Sequence, residues 1–154
     1  MLVGPSGVGK STFAHRHFRE TEIVSSDRCR GLVSDDEANQ QATEPAFRVF
    51  DAILRGRLAM GKLTAADATN LESIPRERLR EVARENGRPI IAIVLDVPMD
   101  IAAAQNLTRS RSVPPRVLDL HYERLKGTRE VLATEGYDAI YEVRAGQPVE
   151  IVRG

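Results

Sequence analysis

Eight residues near the start of the chain, Gly4-Pro5-Ser6-Gly7-Val8-Gly9-Lys10-Ser11, constrain it more than any others. They satisfy the pattern G-x-x-x-x-G-K-[ST]. They stand between a short apolar stub, Met1 to Val3, and a segment in which Phe13, Ala14, His17 and Phe18 recur at helical spacing. Strand, glycine loop and helix in that order gather backbone N–H groups at a helix N-terminus, where positive potential favours an anion. Glycines let the backbone wrap a phosphate, Lys10 reaches the β and γ phosphates of a nucleotide, and the Ser11 hydroxyl binds Mg²⁺, with Thr12 facing inward as support. Gly4, Pro5, Ser6, Gly7, Val8, Gly9, Lys10, Ser11 and Thr12 are therefore the expected ATP-binding residues, with GTP as the other donor the loop accommodates. A glycine-rich turn without a ligand is set aside because the whole motif stands in the context it requires.

The remaining chain alternates strands and helices. Strands are expected at Met1 to Val3, Glu22 to Ser25, Leu63 to Ala66, Pro89 to Val97, Asp138 to Val143 and Val149 to Val152. Helices are expected at Lys10 to Arg19, Pro45 to Met60, Pro75 to Asn86, Met99 to Leu107 and Val117 to Glu135, with Gly61, Gly87 and Gly136 ending three of them. The second helix shows Phe47, Phe50, Leu54 and Leu58 at helical spacing. This order predicts an α/β fold, a parallel sheet with helices on both faces and ligands at the carboxyl ends of the strands.

A chain of 154 residues, 42% apolar and 29% charged, is sized for one compact domain covering 1–154, and no apolar run approaches the roughly 20 residues of a membrane-spanning helix. Lys plus Arg (22) equals Asp plus Glu (22), so no net field holds long nucleic acid and any such contact is local. The single cysteine, Cys29, cannot form an internal disulfide, and no secretion signal opens the chain, which points to the cytoplasm.

Three clusters fall at expected carboxyl-end loops. In the first, Ile23-Val24-Ser25-Ser26-Asp27-Arg28-Cys29-Arg30-Gly31-Leu32, Asp27 is placed either to take a proton from an attacking hydroxyl or to cap a helix, and Arg30 to hold a phosphate oxygen of the acceptor. In the second, Leu63 to Asn70, Asp67 ends a strand and orients Mg²⁺ waters or an arginine, while Thr69 and Asn70 either contact the acceptor or cap the next turn. The third, Gln105 to Arg116 with two prolines, reads as a lid over about 106–116. Its Arg109 and Arg111 would spread over the donor phosphates; the plain alternative is a solvated basic loop.

Other features weigh less. His15, His17 and His121 lack metal-ligand spacing and read as structural or surface residues, and Cys29 reads as packing. Arg76-Glu77-Arg78-Leu79-Arg80-Glu81 reads as a solvated face laced with ion pairs, while Asp35-Asp36-Glu37 and Asn39 to Glu44 either shape the acceptor entrance or form a solvated loop, the loop being preferred.

Taken together, Gly4 to Thr12, then Ser25-Ser26-Asp27-Arg28-Cys29-Arg30-Gly31-Leu32-Val33-Ser34-Asp35-Asp36-Glu37, then Asp67-Ala68-Thr69-Asn70 resemble the polynucleotide 5′-hydroxyl kinase domain of the bacterial end-healing enzyme family (Pnkp). The resemblance spans nearly the whole chain and is most specific at Ser25 to Glu37. It implies an adenylate-kinase-like P-loop kinase fold that transfers the γ-phosphate of ATP, with Mg²⁺, to the 5′-OH end of RNA or DNA. Asp27 is implied as general base, Arg30 as acceptor-phosphate contact and Arg109 as lid arginine, Arg111 aligning less well because the lid spacing is a residue shorter. Relatives carry phosphatase and nucleotidyltransferase (ligase) modules, which would here be separate chains or missing domains. The first strand, only Met1 to Val3, looks trimmed against the family pattern. A small-molecule hydroxyl acceptor and a nucleotide-binding ATPase switch are the other readings, the former kept open by an aromatic content of 5% without Trp, which limits base stacking.

Overall fold

A computed structural model describes residues 1–108 and 112–144. Five strands, β1 (Leu2–Val3), β2 (Ile23–Ser25), β3 (Ala65–Asp67), β4 (Ile91–Asp96) and β5 (Ala139–Arg144), alternate with six α-helices. These are α1 (Lys10–His17), α2 (Ser26–Ser34), α3 (Thr43–Ala59), α4 (Ser73–Glu85), α5 (Met99–Leu107) and α6 (Pro115–Leu132). β1 pairs with β4, β4 with β5 and β2 with β3, every pair parallel. The two sheets meet where β3 lies beside β1: the Gly4 N–H donates to the Thr69 carbonyl at 3.0 Å and the Asn70 amide to the Leu2 carbonyl at 2.7 Å. The strands thus lie in the order β2-β3-β1-β4-β5, with β1 in the centre.

Strand alternation explains the two covered faces. Leu2 and Leu95 join Phe13 and Ala14 of α1 and Ala102 of α5 on one side, while Val3, Ala92 and Val94 meet Leu125 and Leu132 of α6 on the other. A third cluster packs Val24, Cys29 and Ala66 against Ala46, Phe50 and Leu54 of α3 and Leu79 of α4. Cys29 is buried there, where the loss of water pushes its thiol pKa up, as befits a packing residue.

Helix ends fall where glycine permits a left-handed turn: Gly61, Gly87 and Gly136 have φ of 67°, 60° and 80°. Three details differ from expectation. α2 was not among the expected helices, although a helix capped by Asp27 was one reading of this stretch; the cap is instead Ser25, which accepts the Arg28 N–H at 3.4 Å. α3 buries Ala46, Phe50 and Leu54 and leaves Phe47 and Leu58 half-buried. On α1, His17 and Phe18 are likewise half-buried. The expected strand Val149 to Val152 lies outside the described residues.

The run Arg76 to Glu81 is not a wholly solvated face. Arg76 is 2% exposed and donates through Nε and Nη2 to both Glu135 oxygens, at 2.9 and 2.6 Å. Arg80 donates to Glu135 at 2.8 Å and to the Tyr137 hydroxyl at 3.1 Å, so α4 is clamped to the end of α6. Glu77, Arg78 and Glu81 do face solvent.

Asn70 holds the seam between the sheets. It is 3% exposed, adopts a positive φ of 50° and gives its amide to the Leu2 carbonyl. Asn70→Ala would strand that carbonyl and place a β-carbon in a left-handed turn without the side-chain bond that favours Asn there. The expected loss of stability is about 2–3 kcal/mol, read by urea unfolding, with Asn70→Asp losing at least as much because a buried carboxylate cannot donate to the Leu2 carbonyl.

Candidate active site

A cleft of about 1060 Å³ opens at the carboxyl ends of the strands. Its floor is the glycine loop and the start of α1; one wall is α2 with the turn before α3, and the other is formed by the segments flanking α5 and α6. The volume matches a ligand-binding cleft able to take a nucleotide and a second molecule.

The loop is shaped for an anion. Gly7 and Gly9 take φ of 87° and 90°, conformations that side chains disfavour, and a β-carbon on Gly4 would lie 3.3 Å from the Leu95 carbonyl oxygen. Gly9 caps α1 without a side-chain acceptor, so no cap group competes for the first N–H groups of that helix. Lys10 is buried and donates through Nζ to the Pro5 carbonyl at 2.6 Å, which fixes the ammonium inside the loop. Thr12 is exposed at the cleft wall rather than facing inward.

Beside the loop, the Ser11 hydroxyl donates to Asp67 Oδ2 at 2.8 Å. Asp67 is the last residue of β3 and 4% exposed; burial pushes its carboxyl pKa up, opposed by the Ser11 hydrogen bond and the Lys10 charge. A hydroxyl and a carboxylate in contact at a phosphate loop fit Mg²⁺, which takes few protein oxygens and completes its shell with water and phosphate. No cluster of three or more His, Cys, Asp or Glu suited to a metal occurs among the described residues.

The opposite wall carries the first turns of α2. Ser25, not Asp27, is the helix cap, so Asp27 sits in the first turn with its side chain 46% exposed at the cleft. One turn on, Arg30 ion-pairs with Asp27 and donates to the Glu37 carbonyl at 3.3 Å. Arg30 is 9% exposed and lines the cleft, and its buried Nε has no hydrogen-bond partner among the described residues. Gly31 permits this approach: a β-carbon there would lie 3.0 Å from Glu37 Cγ. Ala38, Gln40, Phe47 and Thr69 add neutral side chains to the cleft lining. Gln40, in a stretch read either as acceptor entrance or as solvated loop, thus borders the cleft.

Asn70 is the departure from the expected acceptor set. It does not line the cleft, because its amide is committed to the Leu2 carbonyl. Arg109 and Arg111 lie outside the described residues. The ends of the lid segment are joined by Asn106, which donates to the Val113 carbonyl at 2.8 Å and accepts its N–H at 2.9 Å.

Sequence reasoning missed His121. The ring lines the cleft from α6, and its Nδ1 accepts the Ser6 N–H at 3.2 Å. Burial lowers its pKa, helped by the nearby Lys10 and Arg124 charges and opposed by Glu72. The available signal was position: Pro114, Val117 and His121 follow at helical spacing and all line the cleft.

The loop, the parallel sheet and the covering helices define a P-loop α/β protein. The family model AAA_33, described as an AAA domain, matches residues 1–132, and the chain belongs to that family. No curated protein matches it significantly. Among solved structures, a gluconokinase from Sinorhizobium meliloti 1021 superposes with a TM-score of 0.58 at 20% identity, covering 96% of this chain and 82% of that one. At that identity the likeness is one of fold, that of a P-loop kinase.

Proposed function

We propose that this protein is an ATP-dependent kinase that transfers the γ-phosphoryl group to a hydroxyl of an acceptor bearing an anionic group. The observation that carries the reading is the single cleft in which Asp27 and Arg30 of α2 join Lys10, Ser11 and Asp67. The acceptor oxygen attacks the γ-phosphorus while Asp27 takes its proton; the bond from that phosphorus to the β–γ bridging oxygen breaks and ADP leaves. Lys10 and the loop N–H groups hold the donor, and the lid arginines Arg109 and Arg111 are assigned to its phosphates on the sequence pattern. Bound Mg²⁺, held through Ser11 and Asp67, would neutralise phosphate charge. Arg30, whose side chain lines the cleft, orients the acceptor through its anionic group.

Two acceptors meet that description. A small hydroxylated acid has the greater support from the comparisons, since one similar solved structure is described as a gluconokinase, and the neutral cleft-lining residues Ala38, Gln40, Phe47 and Thr69 suit it. A polynucleotide 5′-OH end is supported by the Ser25 to Glu37 pattern and by Phe47, a half-buried ring lining the cleft on which a terminal base could stack. Labelled γ-phosphate from ATP, offered to a 5′-OH oligonucleotide, its 5′-phosphorylated twin and a hexonic acid, separates them. Label in the acid alone supports the small acceptor; label needing a free 5′-OH supports the strand end. Release of inorganic phosphate alone, whatever hydroxyl is supplied, contradicts the kinase reading and leaves an ATPase.

A further inference from the structure

The Pro5–Ser6 peptide unit is gripped at both ends. Its carbonyl, from Pro5, accepts the Lys10 ammonium at 2.6 Å, and its N–H, from Ser6, donates to His121 Nδ1 at 3.2 Å. These two bonds point in opposite directions across one planar group, so together they fix its rotation. We propose that His121 is a positioning residue of the donor site: by holding the Ser6 N–H it fixes the Pro5–Ser6 peptide and, through the Pro5 carbonyl, the Lys10 ammonium that meets the donor phosphates. The inference rests on the nucleotide-binding reading of the loop.

Several features support it. His121 holds the loop backbone from outside the loop and α1, and it does so from α6, 115 residues away in sequence. Glycines at 4, 7 and 9 leave the loop intrinsically free to rotate its peptides, so an external tether has something to restrain. The acceptor at Nδ1 requires an unprotonated nitrogen there, hence the tautomer with its proton on Nε2. The groups facing the ring are Lys10 from the loop, Arg124 from α6 and Glu72 before α4.

The test compares His121→Ala, which removes the acceptor, with His121→Asn, whose amide oxygen can occupy the place of Nδ1. The first readout is exchange of the Ser6 amide hydrogen in the nucleotide-free protein, followed by NMR. Exchange about tenfold faster in His121→Ala, with near wild-type protection in His121→Asn, is expected from the loss and return of one hydrogen bond. The second readout is kinetic: kcat/KM for Mg·ATP about tenfold lower in His121→Ala and restored to within about threefold in His121→Asn, with the acceptor KM unmoved. Equal Ser6 exchange in all three proteins overturns the inference. So does a kinetic loss in His121→Ala that His121→Asn does not repair. Failure of the wild type to bind Mg·ATP would instead sink the nucleotide reading, and the Ser6 exchange would still decide whether His121 holds the loop.

Discussion

Asp27→Asn should lower phosphoryl transfer to the acceptor by about 10² to 10⁴ while leaving Mg·ATP affinity within about twofold. Asp27 stands in the first turn of α2, across the cleft from Lys10 and Ser11, and its side chain is 46% exposed, open to an incoming hydroxyl. Asparagine keeps the size and can still accept a hydrogen bond from Arg30, but it cannot take the hydroxyl proton. The loss should therefore appear in kcat rather than in donor binding. Arg30→Ala should behave differently, raising the acceptor KM, since Arg30 lines the cleft and carries the positive charge that would meet an anionic group. Equal activity of Asp27→Asn and wild type across pH would remove the base from the account. Steady-state kinetics with each substrate varied in turn distinguishes these patterns.

The second large effect is on stability. Glu135→Ala leaves Arg76, 2% exposed, without its bidentate carboxylate and strips Arg80 of a partner, and should cost about 3–5 kcal/mol in urea unfolding at neutral pH. Replacing Arg76 by Met together with Glu135 by Leu should recover most of that loss, because the desolvation cost of both charges disappears. The pH dependence has a definite sign. The hydrogen bonds from Arg76 hold the Glu135 carboxyl below its ordinary value of 4.5, against the opposing effect of burial. The pair thus contributes fully above about pH 4.5 and is lost as pH falls through the lower folded value. Glu135→Ala should flatten that part of the acid-unfolding curve. The clamp also reaches the site: Arg76 donates to the Asn70 carbonyl at 3.3 Å and Thr128 to the Leu71 carbonyl at 2.8 Å, holding the loop that follows Asp67.

How much of this was legible in sequence follows from the range of each interaction. The glycine loop was readable because its demands are local: positive φ at Gly7 and Gly9, a lysine and a hydroxyl at fixed offsets. Asp67 was readable as the end of an apolar strand, and the structure adds its hydrogen bond with Ser11. α2 stayed ambiguous because Ser-Ser-Asp followed by Arg and Gly reads equally as a strand-end loop or as a helix start, and only the Ser25 cap and the packing of Cys29 settle it as helix. Arg76 misled because sign alternation marks an exposed face only until a distant carboxylate, here Glu135, is brought beside it. Asn70 resembled an acceptor contact in composition, yet the seam between β1 and β3 claims its amide. His121 had no local motif; its role depends on α6 passing over the loop, a relation among residues 115 apart.

The account is tested most directly by single-turnover transfer of labelled γ-phosphate from Mg·ATP at saturating acceptor, with wild type and Asp27→Asn side by side. The predicted result is label moving onto the acceptor hydroxyl in wild type, slowed by about 10² or more in Asp27→Asn with ATP still bound. Label appearing only as inorganic phosphate, at the same rate in both proteins, would contradict it.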